Sequence, residues 1–120
     1  MTPRDPAAYV FDVVTACRRV REYAGEMSRE QFLGDPKTRD AVERQLLVIG
    51  EAIVQLRKFR PELAARLGPA DQIAGFRNIL AHAYFRVDPG EVWTIAQVDV
   101  PRLLSEAERM LAEFPPPETP

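Results

Sequence analysis

The sequence predicts an all-α fold, an up-and-down bundle of four main helices with short extra helices. Three observations predict it. Apolar residues recur at alternating steps of three and four, the period of a helix with one buried face. The 11 prolines and 6 glycines often fall where such runs begin and end, as helix starts and stops require. No segment shows apolar–polar alternation long enough for a strand, and there is no internal repeat.

The elements follow in order. Asp5-Pro6 reads as a cap with proline at the first helical position, and Val10, Val13, Cys17, Val20, Ala24 and Met27 then form a core stripe. Ser28 and Gln31 make a capping-box pattern that opens one short helix. Gly34 ends it, and Asp35-Pro36 starts the second long helix. There Leu46, Ile49, Ile53 and Leu56 make one apolar stripe, and Leu47, Gly50 and Val54 make another, roughly 100° away. A bundle helix needs one buried face. The second is expected either to bury against another subunit, with Gly50 allowing close approach, or to widen the core face toward two neighbouring helices. Pro61 breaks the helix, and a short excursion to Leu67 closes at Gly68-Pro69. The next helix is expected from about Ala70 to Phe85. Asp88-Pro89-Gly90-Glu91 caps a short helix through Trp93. Pro101 stands near the start of a final helix with stripe Leu103, Ala107, Met110 and Phe114. Residues 1–114 are thus one domain, followed by a Pro-rich tail, 115–120, expected to be disordered.

A chain of 120 residues, 46% hydrophobic, suits one modest core. No apolar run approaches the ~20 residues of a membrane span. The N-terminus lacks the basic-then-apolar pattern of a secretory signal. Cys17 is the single cysteine, so no internal disulfide can form, and a cytoplasmic setting is expected. The net charge of −2 argues against a general nucleic-acid coat but leaves room for a local RNA-binding cleft. The 14 arginines against 2 lysines fit phosphate recognition or simply a GC-rich genome.

Chemistry concentrates in Phe76-Arg77-Asn78-Ile79-Leu80-Ala81-His82-Ala83-Tyr84-Phe85, which holds the only histidine. Histidine suits proton transfer near neutral pH, and arginine forks onto phosphate oxygens. At helical spacing Ile73, Phe76, Leu80 and Ala83 face the core. Asn78 and His82 lie opposite, Arg77 sits on the flank between, and Tyr84 is expected to stack above Arg77 seven residues on. A plain solvated histidine fits the same geometry. One histidine, one cysteine and scattered carboxylates do not assemble a metal site, and no Gly-rich phosphate loop or Ser/His/Asp arrangement is present. The residues therefore point to acid–base chemistry on a phosphodiester, with no metal and no cofactor.

The string Arg77 to Phe85, followed by Val87-Asp88 and Val92-Trp93, resembles the Arg-x4-His-x-Tyr signature of HepT-like toxins, small helical ribonucleases of the HEPN superfamily. Arg44 to Ala52 resembles that family's second long helix, and Asp99-Val100-Pro101 its last one, so the resemblance covers about Asp5 to Phe114. It implies a HEPN-like bundle and a metal-independent endoribonuclease toxin of a type II/VII-like toxin–antitoxin pair. Arg77 and His82 would be catalytic, and Asn78 would orient His82 or the phosphate. It also implies a homodimer that brings two copies of the motif to one cleft. The implied partner is an MNT-type minimal nucleotidyltransferase antitoxin, able to adenylylate Tyr84. The other reading of Tyr84 is a helix-end residue with its ring packed and its hydroxyl wet. RNA would be the substrate and DNA, lacking the 2′-hydroxyl, would not. The alternative is a non-catalytic HEPN dimer serving as nucleotide-binding or adaptor subunit of a nucleotidyltransferase.

Overall fold

A computed structural model describes residues 4–115. Of the predicted tail, residues 116–120 lie outside the described residues. The helices are α1 (Pro6–Ala24), α2 (Arg29–Leu33), α3 (Pro36–Phe59), α4 (Pro61–Ala64), α5 (Ala70–His82), α6 (Pro89–Thr94) and α7 (Val100–Glu113). Among the described residues there is no strand, and no helix is long and apolar enough to cross a membrane. The all-α bundle with four long helices is as predicted.

Local caps set the helix starts. The Asp5 carboxylate accepts from the Ala7 N–H at 2.9 Å. Ser28 and Gln31 form the reciprocal capping box. The Asp35 carboxylate accepts from the Thr38 N–H at 3.1 Å and from the Thr38 hydroxyl. These bonds favour its charged form and hold its pKa below the usual carboxylate range.

Packing runs α7 on α1, α1 on α3, and α3 on α5. Val10, Val13, Cys17 and Val20 of α1 meet Val42, Leu46, Ile49, Ile53 and Leu56 of α3 in a closed core, which Phe32 of α2 also enters. Burial pushes the Cys17 thiol up to about 12. The second α3 stripe does not read as one outward face. Gly50 is fully packed and Val54 rests half-buried against the core, while Leu47 stays half-exposed.

Two elements differ from expectation. First, α5 ends at His82, not Phe85. Ala83 leaves helical geometry at φ −142°, ψ 47°, and Tyr84–Arg86 form a 3₁₀ turn. Tyr84, Phe85 and Val87 are modest helix formers. Turning there lets Val87 pack on the core and lets Asp88 cap α6 through the Gly90 N–H at 2.9 Å. Second, α6 runs into α7 without a break, through a π turn at Ile95–Asp99. Pro101 lacks an N–H and its ring crowds the carbonyl four residues back. The wider turn absorbs this, with the Val100 N–H bonding the Ile95 carbonyl. From the same turn, the Gln97 amide donates to the Ala24 carbonyl at the end of α1, at 2.8 Å.

Candidate active site

Arg77 is the best-held member of the motif. It lies on the side of α5 that packs against α3, directly over Gly50. A Cβ built on Gly50 would stand 2.7 Å from the Arg77 Cβ and 3.3 Å from its Cγ. The missing side chain thus lets the Arg77 stem lie flat on α3. The close approach that suggested a subunit contact at Gly50 is made within the chain instead. That seat brings the guanidinium to the next α3 residue, and Arg77 Nε donates to Glu51 Oε1 at 2.6 Å. Arg77 NH1 donates to Asn78 Oδ1 at 3.2 Å. Asn78 therefore meets Arg77. Among the described residues it makes no hydrogen bond to His82.

His82 is the last residue of α5 and is exposed. Five residues of α-helix amount to about 140° of rotation and about 7.5 Å of rise. Arg77 therefore faces α3 while His82 points off the polar side, beyond the exposed Asn78. One chain does not close the two into a single contact.

Tyr84 does not stack above Arg77, because the helix that would align them stops at His82. It stands on the 3₁₀ turn, 76% exposed, beside Phe85 at 78%. Their rings meet edge to face at 6.2 Å. The Tyr84 ring is thus not packed away. It borders a groove of about 480 Å³ between α3 and the 84–92 segment, whose walls include Arg44, Leu47, Leu80 and Val92. Glu43 also lines it, and burial and Asp40 raise its pKa. A second groove of about 350 Å³ shares Arg44 and Leu47 and reaches Glu51. The α3 surface therefore continues from the Arg77 seat toward Tyr84.

Glu51 is the residue of the candidate site that sequence reasoning missed, since it stood as one of many scattered carboxylates. A signal was present: Arg44, Leu47 and Glu51 share a helical face beside an interior glycine, where a neighbouring helix can come close. Among the described residues no three His, Cys, Asp or Glu side chains gather as a metal site.

The profile of the family described as "Ribonuclease HepT-like" matches residues 13–110, a span that includes the whole motif and its α3 seat. The chain belongs to the HepT-like ribonuclease family. "Probable ribonuclease HepT" of Thermococcus cleftensis is 34% identical over 106 residues, covering 85% of this chain and 92% of that one. "Putative RNase MJ0125" of Methanocaldococcus jannaschii is 31% identical over 114 residues, covering 95% and 97%. "Putative RNase TTE0752" of Caldanaerobacter subterraneus is 31% identical over 108 residues, covering 90% and 96%. No solved structure matches significantly. In this chain Arg77 and His82 both lie on α5, and Arg77 is braced by Glu51 of α3.

Proposed function

We propose that this HepT-like protein is a metal-independent endoribonuclease, acting in the cytoplasm as the toxin of a HEPN–MNT pair. The observation that carries the reading is the division of labour on α5. Arg77 is clamped through two of its five N–H bonds with the other three unspent among the described residues, and the only histidine stands exposed at the helix end. In RNA cleavage the ribose 2′-hydroxyl loses its proton and attacks the adjacent phosphorus. The bond to the 5′-oxygen breaks and that oxygen takes up a proton. His82 serves as base or acid, and Arg77 stabilises charge growing on the non-bridging oxygens. Because the two point apart within one chain and the reaction needs both an acid and a base, a two-fold dimer supplies the second set.

His82→Ala should abolish cleavage with melting unchanged, since the residue is exposed. Arg77→Ala should also abolish cleavage but lose about 1 kcal/mol of stability with the Glu51 pair and the stem packing. A strong chelator should have no effect. Full activity in His82→Ala would remove the assignment, and inhibition by chelator would remove the metal-free mechanism. A wild-type chain that cleaves no RNA would favour the adaptor reading.

Control by an MNT-type nucleotidyltransferase belongs to the same proposal. The Tyr84 phenol attacks the α-phosphorus of ATP, pyrophosphate leaves, and the phenolic proton passes to solvent. Exposure of Tyr84 on a turn two residues from His82 supports access without unfolding. The adenylyl group would obstruct the His82 side and the adjoining groove rather than lie on Arg77. Co-expression with the cognate transferase should add AMP to Tyr84 with loss of cleavage, and Tyr84→Phe should escape. Intact-mass and peptide mapping decide this: a neutralised complex with unmodified Tyr84 would make steric blocking the mechanism.

A further inference from the structure

We infer that Glu51 is a positioning residue for Arg77, and that Gly50-Glu51 together form the seat that aims the guanidinium at the scissile phosphate. The inference rests on the ribonuclease reading above and adds a residue to it.

A guanidinium has five N–H bonds in a fixed plane. Glu51 accepts the one on Nε at 2.6 Å, and Asn78 accepts one from NH1 at 3.2 Å. Two contacts at different corners of a planar group fix both its position and its tilt. The remaining N–H bonds, one on NH1 and two on NH2, make no hydrogen bond among the described residues, and a phosphate can take such bonds in pairs. The stem cannot swing away freely, because its Cβ and Cγ lie against Gly50. The arginine side chain is 25% exposed and that of Glu51 48%, so the clamp is rooted in the helix packing while solvent still reaches part of it.

This arrangement has two separable consequences. Aim depends on an acceptor at the Glu51 position. Affinity for a polyanion is opposed by the Glu51 charge, which competes with phosphate for the same cation. A glutamine keeps an oxygen acceptor and removes the charge, whereas an alanine removes both.

The test compares wild type, Glu51→Gln and Glu51→Ala. The Arg77 Nε–H signal is followed in ¹⁵N–¹H spectra, assigned by its loss in Arg77→Lys, and RNA cleavage is measured alongside. In wild type the signal should be sharp and protected from exchange, and Glu51→Gln should keep it. Glu51→Ala should lose it, with kcat lower by about 10- to 100-fold. KM should fall or hold in both variants. Partial recovery of kcat by glutamine marks positioning, because loss of fold would show in melting and in all signals at once. A protected Arg77 Nε–H in Glu51→Ala, or unchanged kcat there, would overturn the proposal. The spectra need no catalysis. A wild-type protein that cleaves nothing would therefore sink the ribonuclease reading, while the signals would still decide whether Glu51 holds Arg77.

Discussion

Gly50→Ala separates two roles for one residue, because helix propensity and tertiary packing push in opposite directions. Alanine in place of an interior helical glycine is worth about 1 kcal/mol of helix stability. The new methyl would sit 2.7 Å from the Arg77 Cβ, whereas ordinary contact begins near 3.4 Å, so the two must part by at least about 0.7 Å. The obstructing atom is the first carbon of the side chain, which moves only if α5 moves. Overpacking of this kind costs about 1–3 kcal/mol. The net expectation is a loss of about 1 kcal/mol, or roughly 4 °C in Tm for a domain of this size. The functional effect should be larger than the thermal one. If Arg77 is the phosphate-binding arginine proposed above, a displacement approaching 1 Å there is enough to lower the rate by about 100-fold. Melting followed by circular dichroism and initial rates on a single-stranded RNA read both quantities from one preparation. A Gly50→Ala protein with raised Tm and full activity would refute the packing argument, since the propensity gain would then stand unopposed.

Other predictions test the core and the assembly. The folded protein holds the Cys17 proton up to about 12, whereas the unfolded thiol releases it near 9.0. The unfolded state thus binds fewer protons above pH 9, and stability should fall as pH rises through the 9–12 window, by up to about 1.4 kcal/mol per pH unit. Denaturant titrations at pH 8, 9 and 10 should show this slope in wild type and lack it in Cys17→Ala; equal slopes would count against a buried neutral thiol. Leu47→Asp should split the proposed dimer in light scattering with little change in monomer stability, because Leu47 is only half-covered within the chain. Val54→Asp should instead lower the melting temperature of the fold, because Val54 packs on the core. A wild-type chain that is monomeric at micromolar concentration would end the dimer argument.

What was legible in the sequence was what neighbouring residues decide among themselves. Asp5-Pro6, Ser28 with Gln31, and Asp35-Pro36 open helices because each cap bonds a backbone group two or three positions away. The stripes of α1, α3 and α7 were readable for the same reason. The misreadings all involve a distant partner. Helical propensity ran on past His82, but the burial of Val87 and the cap at Asp88 stopped it. Pro101 stands near the start of the last helix, as its place in the sequence indicates, but the π turn that joins α6 to that helix was not legible. Glu51 had no assignable role, and the close approach expected at Gly50 had no assignable partner, until the neighbour of α3 was known to be the helix that carries Arg77. The motif spacing itself then takes on a different meaning. Five residues of helix cannot place Arg77 and His82 on one face, so the pair is not a compact constellation like two groups one turn apart. It puts the arginine on the packed side, where α3 can brace it, and the histidine on the open side, where it can meet RNA or a second chain. The proposed cleft completed by another protomer therefore rests on that divergence, because the second α3 stripe lost two of its three residues, Gly50 and Val54, to packing within the monomer.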